Sequence, residues 1–322
     1  MKTNGISFCR KQGRLDILLL VLLGLFLAVR ANCQIYVTVS FNGGHVEEYS
    51  TTGVAINTSL ITGLSNPTDI AYDGNGNLFI ANENFGDIAQ YTLSGAPVHP
   101  AFPPSGALIG GLSYPQGIAL DGQGHIFVAN STAGTGSGYI GLYSTSGAAI
   151  NPTLISGMSW PWGIALDGQG HLFVADRTKG VIGEYTTSGQ TVNANLISGL
   201  NSPTAIAVDG NGHLFVGSLN GGTVGEYTTS GATVNAHLIT GLSNPTGLDL
   251  DGKGDLYVAN YAGGGTGGTI GEYTTSGAPV NPSLITGLDG PFDLVVVVPE
   301  PSSISLVLFG AGMLLWRCIK RQ

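Results

Sequence analysis

The stretch Asp167-Gly168-Gln169-Gly170-His171-Leu172-Phe173-Val174-Ala175-Asp176 constrains the fold of this chain more than any other, because versions of it recur at Asp73, Asp121, Asp209 and Asp251. In each copy a short apolar run, here Ile164-Ala165-Leu166, precedes Asp-Gly-x-Gly, and a β-branched or aromatic run follows. Both glycines suit the positive φ angles of a tight hairpin, so every copy reads as strand, turn, strand. A phosphate-cradling loop would need a helix N-terminus directly after the glycines. None follows: no long stretch carries a 3.6-residue apolar period, and 52 of the 322 residues are Gly while only 10% are charged. That pattern predicts an all-β chain rich in turns.

A proline precedes each first strand, at Pro67, Pro115, Pro161, Pro203, Pro245 and Pro291, with spacings of 48, 46, 42, 42 and 46 residues. A period just above 40 that holds four strands predicts propeller blades. Within one period the strands are expected at Ile164 to Asp167, Leu172 to Ala175, Ile182 to Thr186 and Asn193 to Ser198 (a to d). The two ends of the repeat region complement each other. It opens with strands b, c and d (from Tyr36, Gly44 and Leu60) and closes with a lone strand a, Pro291 to Val296. The expected architecture is therefore a six-bladed β-propeller of four-stranded blades, closed by pairing of its N- and C-terminal strands, which leaves no free sheet edge. The Leu-Phe-Val runs, the Leu-Ile pairs of strand d and the tyrosines at 49, 91, 143, 185, 227 and 273 are expected between blades.

The termini differ from the repeat. Residues 1–33 carry basic Lys2, Arg10, Lys11 and Arg14 before an apolar core, Ile17 to Val29, of 13 residues. Since about 20 apolar residues span a bilayer, this is a cleaved secretory signal rather than an anchor. At the other end Pro299-Glu300-Pro301 is followed by an apolar run from Ile304 to Trp316 and a basic tail of Arg317, Lys320 and Arg321. Residues 299–322 resemble the PEP-CTERM sorting signal of Gram-negative bacteria. That resemblance implies recognition by an exosortase-type enzyme, transient residence in the inner membrane through the C-terminal helix, and release to the cell surface or an exopolysaccharide matrix. An ordinary C-terminal anchor is the alternative. Residues 34–298, with their hairpins and Gly-x-Ile-Gly-Glu-Tyr-Thr-Thr-Ser-Gly segments, resemble NHL-type six-bladed propellers. Such propellers include binding proteins as well as metal-dependent lactonase-like and streptogramin-lyase-like enzymes. The resemblance lies in the scaffold, and no catalytic motif transfers residue by residue.

Between the two terminal segments, 18 acidic side chains face only Arg177, Lys179 and Lys253, a net of −15. Nucleic acid is excluded as a partner, while cations, neutral glycans or another surface protein remain. No cysteine lies in this region. Ligand-facing positions are those just after each Pro and those ending strand b: Asp69, Gln116, Trp162 and Asp293 in the first set, Asn82, Asn130, Asp176 and Asn260 in the second. Asp69 and Asp293 flank the closure and, with Asn82 and Asn260, would suit a hard cation such as Ca2+; alternatively each Asp caps backbone amides. Asp249 stands where four other blades have Ala71, Ala119, Ala165 and Ala207, so it needs a partner or the channel. His125, His171 and His213 follow hairpin turns on three blades and read as turn residues. Blades two and five carry insertions between strands b and c, at 131–138 and 261–268, expected to flank the channel mouth. The function expected is an exported binding protein without catalysis; a metal-dependent propeller enzyme is the alternative.

Overall fold

In the computed structural model, residues 33–99, 106–132 and 136–298 are described, and every regular element among them is a β-strand. The expected signal segment, Cys33 apart, and the sorting motif Pro299, Glu300 and Pro301 with its apolar run lie outside the described residues. Among the described residues no helix is long and apolar enough to cross a membrane.

Blade six takes β1 (Gln34–Val39), β2 (His45–Ser50) and β3 (Ala55–Ile61) from the start of the repeat. Blade one holds β4 (Pro67–Tyr72), β5 (Asn77–Asn82), β6 (Asp87–Thr92) and β7 (Ala107–Ile109). Blade two holds β8 (Pro115–Leu120), β9 (His125–Ser131), β10 (Gly138–Ser144) and β11 (Ala149–Met158). In blade three these are β12 (Pro161–Leu166), β13 (His171–Asp176), β14 (Val181–Thr186) and β15 (Thr191–Ser198). Blade four consists of β16 (Pro203–Val208), β17 (His213–Ser218), β18 (Thr223–Thr228) and β19 (Thr233–Thr240). Blade five has β20 (Pro245–Leu250), β21 (Asp255–Asn260), β22 (Gly268–Thr274) and β23 (Pro279–Leu288), and β24 (Pro291–Val297) returns to complete blade six in the order β24-β1-β2-β3. Strand a starts on the proline itself, and Asp167 falls in the turn rather than in the strand. The inner strands β4, β8, β12, β16, β20 and β24 each touch the next around a closed ring.

Closure rests on antiparallel pairing of β1 with β24, from Gln34 opposite Val297 to Val39 opposite Pro291. Between blades the apolar faces interlock. Phe173, Ala175, Ile182 and Ile197 of blade three pack with Ile206, Leu214, Val216 and Tyr227 of blade four, and the interfaces six–one, one–two, two–three and four–five repeat this composition. All six strand c tyrosines are buried there, at 4–8% exposure.

The Asp-Gly-x-Gly hairpins are held by their own aspartate. Asp121 accepts from the Gln123 and His125 amides and pairs with His125 Nδ1 at 2.6 Å. Asp167 and His171 (2.8 Å) and Asp209 and His213 (3.1 Å) repeat the arrangement. The three histidines are thus turn residues on separate blades.

Candidate functional site

The d-to-a and b-to-c connections meet at one end of the ring, where a b–c amide donates to a d–a carbonyl in every blade: Glu83 to Asn66, Ser131 to Tyr114, Arg177 to Trp160, Leu219 to Ser202, Tyr261 to Asn244 and Ser40 to Gly290. Below this mouth the inner strands enclose a cavity of about 250 Å³ lined by Asp69, Trp162, Ile206, Leu248, Asp249 and Asp293 among others. The three carboxyl groups touch the lumen but are otherwise enclosed by protein, and they sit on three consecutive blades, five, six and one. Each reaches to the inner strand of the following blade. Asp249 Oδ2 accepts from Val296 N at 2.7 Å, Asp293 Oδ2 from Ile70 N at 3.3 Å and Asp69 Oδ2 from Ile118 N at 2.7 Å. Amide capping is therefore present, but across blades instead of within a local turn.

Asp69 and Asp293 also hydrogen-bond to each other. Burial lifts both carboxyls above their ordinary range, and the charge of Asp69 raises Asp293 further. Two buried carboxyls in such contact disfavour a second negative charge. Ca2+ takes six to eight oxygens, yet these groups face each other and backbone amides. Asn82 and Asn260 stay away from them, with Nδ2 donating to Asp87 (2.7 Å) and Thr269 (3.2 Å). Among the described residues no cluster of three or more His, Cys, Asp or Glu side chains is suited to a metal ion. The pair does not fit a cation as arranged.

Burial pushes the Asp249 carboxyl up to about 7, with the charges of Asp69 and Asp251 adding to it and the Val296 and Leu250 amides opposing. A carboxyl whose folded-state pKa is raised stabilises the fold fully below its unfolded value, near 4, and that contribution is lost as pH rises through about 7. Melting temperature should therefore fall between pH 5 and pH 8. Asp249→Asn, which keeps an acceptor for Val296, should gain about 1–3 kcal/mol at pH 8 and nothing at pH 4. Equal melting curves for parent and variant at both pH values would reject the assignment. Asp121, Asp167 and Asp209 act oppositely. Partial burial raises them, but hydrogen bonds from their turn partners hold them below the ordinary range, so they lose their contribution only in acid.

An aromatic ribbon crosses the mouth. Phe41 packs on Tyr261 (centroids 5.9 Å apart), Tyr261 on Phe292 (5.1 Å), Phe292 on Trp162 (6.3 Å, planes 7° apart) and Trp162 on Trp160 (6.4 Å). Phe292 belongs to blade six and Trp162 to blade three, which are opposite in a six-membered ring, so this contact spans the opening. Tyr261 enters from the expected b–c insertion of blade five; residues 133–135 of the blade two insertion are outside the described residues. Arg177 lies over Trp162 at 4.7 Å and over Trp160 at 5.8 Å.

Blade three is built differently here. The residue before the proline has positive φ at Asn66 (51°), Tyr114 (47°), Ser202 (57°), Asn244 (54°) and Gly290 (71°), but Trp160 does not. Asp176 accounts for the difference: its carboxylate accepts from Ser159 N at 2.8 Å and Trp160 N at 3.1 Å and thereby resets the turn.

Of the eight candidate positions, the structure brings Asp69 and Asp293 together and sets Trp162 at the mouth. Asn82, Gln116 and Asn130 are fully buried, and Asp176 and Asn260 nearly so. At the end of strand b the side chain turns into its own blade: Asp176 accepts from loop amides, whereas Asn82, Asn130 and Asn260 donate to Asp87, Val128 O and Thr269 within the sheet. Gln116 Nε2 likewise turns back to Tyr114 O at 3.4 Å. Sequence reasoning missed Arg177, Trp160 and Tyr261. The available signal was that Arg177 is one of only three cations in the repeat region and belongs to the b–c loop that pairs with the Trp160 loop. None of the six histidines lines the cavity.

Similar folds occur among solved structures at low sequence identity. A chain of the nidogen/laminin complex is 15% identical, with 84% of this chain and 100% of that one covered and a TM-score of 0.67. A Bacteroides caccae protein of unknown function is 16% identical, covering 83% and 99%, at a TM-score of 0.63. A catalytically inactive virginiamycin B lyase from Staphylococcus aureus with quinupristin is 18% identical, covering 80% and 86%, at 0.49. No curated protein matches. The sequence profile of the virginiamycin B lyase family matches residues 26–280, which span all but the last strands of the ring, and the chain belongs to that family.

Proposed function

We propose that this chain is an exported binding propeller of the cell surface or extracellular matrix, delivered by residues 1–33, processed at residues 299–322 by an exosortase-type enzyme, and holding its ligand at the aromatic mouth. The observation that carries this proposal is the chemistry of the opening. It presents ring faces and one cation, while the carboxyls beneath are engaged with backbone amides and with each other. Ring faces of this kind suit exopolysaccharide units or a surface protein, and a repeat region at −15 repels nucleic acid. The test is a titration of the full chain against a panel of soluble glycans, followed by tryptophan fluorescence. Saturable binding that Trp162→Ala abolishes is expected; a flat response across the panel with intact folding would overturn it.

For the sorting route, replacing Pro299, Glu300 and Pro301 by Ala should retain the protein in the inner membrane of a host with an exosortase. Fractionation showing the same distribution as the parent would make the tail a simple anchor.

Family membership and the juxtaposed, buried Asp69–Asp293 carboxyls favour a second possibility, a lyase-type reaction with this pair as acid and base. Incubation with virginiamycin B, read by mass spectrometry, separates the two. Substrate consumption that Asp69→Asn removes would establish the enzyme.

A further inference from the structure

We propose that Arg177, Trp160 and Trp162 form a subsite for a single carboxylate carried on a ring, either a sugar acid or an aromatic acid, which builds on the mouth being the binding site proposed above. Arg177 is the observation from which this starts. Lys179 pairs with Asp176 at 3.3 Å and Lys253 has its own partner, yet among the described residues the Arg177 guanidinium makes no hydrogen bond and no ion pair. In a region with 18 acidic side chains against 3 basic ones, an unpaired cation is held away from every carboxylate. Asp176, its neighbour in the chain, is occupied by the Ser159, Trp160 and Lys179 amides and by the Lys179 ammonium.

The guanidinium is instead laid over two indoles, which desolvates it while leaving its N–H fork without an acceptor. Trp160 Nε1 is likewise buried without a hydrogen-bond partner. A guanidinium fork with no acceptor, beside a ribbon of ring faces, defines a ligand with a flat or cyclic body and a carboxylate. The fork of Arg matches that group with two parallel hydrogen bonds. The surrounding negative field disfavours polyanions, so one charge per binding unit is specified. Blade three alone has a pre-proline residue that is not at positive φ, and its d–a turn is held by Asp176, which places the subsite there and not at its five repeats.

The experiment titrates the full chain with two matched pairs: methyl glucuronide against methyl glucoside, and phenylacetate against phenylacetamide. Tryptophan fluorescence and calorimetry serve as readouts, since two of the three tryptophans are Trp160 and Trp162. At least one acid should bind about tenfold tighter than its uncharged counterpart. Arg177→Gln should erase that preference, and Arg177→Lys should restore part of it. Lys179→Gln, which removes a cation already paired, should leave the preference intact. The melting temperature of Arg177→Gln should stay within a few degrees of the parent, because only ring contacts are lost. Preference in one pair alone identifies the frame that carries the carboxylate. Equal affinity within both pairs, or equal loss in Arg177→Gln and Lys179→Gln, would overturn the subsite, whereas binding of uncharged glycans in the same titrations would leave the broader binding function standing.

Discussion

Deleting residues 290–297 should leave a protein that no longer melts cooperatively. Residues 291–297 form β24, the inner strand of blade six, whose partner β1 comes from the opposite end of the repeat region. Leu294, Val296 and Val297 are 2%, 7% and 1% exposed. Burial of three such side chains stabilises by roughly 5–8 kcal/mol, comparable with the whole stability of a domain. The deletion also uncovers the inner edge of β1, opens a template for association through unpaired amides, and breaks contacts to β20 and β4 on both sides. The Ile70 amide loses Asp293, and Asp249 loses the Val296 amide. Aggregation or a broad, non-cooperative transition in calorimetry is the expected result. A deletion variant with the parent's melting profile and hydrodynamic size would show that the ring does not depend on this strand.

The second large effect is expected at Gly247→Ala, on the interface between blades five and six. A Cβ added there would lie 2.2 Å from Asp293 Oδ1, 2.6 Å from Asp293 Cα and 2.9 Å from Phe292 O. Two of these are backbone atoms of the next inner strand, so a side-chain rotation cannot relieve the contact and the blades must separate. Overpacking of this kind costs roughly 3 kcal/mol, or roughly 6–12 °C in melting temperature for a domain of this size. Gly74→Ala is the control. It has φ +75° but nothing within 4 Å of the added Cβ, so it should cost only about 1 kcal/mol from backbone strain. Truncating Asp293 alongside Gly247→Ala should recover little stability. Full recovery in that double variant would mean that the carboxylate and not the backbone sets the approach. Because this approach positions Asp293, widening it should also change how Asp293 meets Asp69.

The repeat itself determined the architecture. Hairpin glycines, a proline every 42–48 residues and complementary end fragments specify blade number and closure, since these depend on local turn chemistry and strand count, which a sequence carries directly. The turn histidines were legible for the same reason: Asp121 and His125 are four residues apart and meet within one hairpin. Asp69 and Asp293 could be paired from sequence because closure makes their blades neighbours. What only the tertiary structure decided is where side chains at equivalent repeat positions point. Asn82, Asn130 and Asn260 stand near the mouth ends of their strands but turn into the blade, where each Nδ2 finds an acceptor in Asp87, Val128 O or Thr269 that only the folded blade brings within reach. Trp162 and Phe292 are 130 positions apart and on opposite blades, yet their rings meet at 6.3 Å. Ring diameter and inner-strand tilt set that distance, and neither is encoded in the spacing of a repeat. Arg177 lies over Trp160 and Trp162 beside the turn that Asp176 holds through the Ser159 and Trp160 amides, an arrangement that appears only when two loops of the same blade are folded against each other.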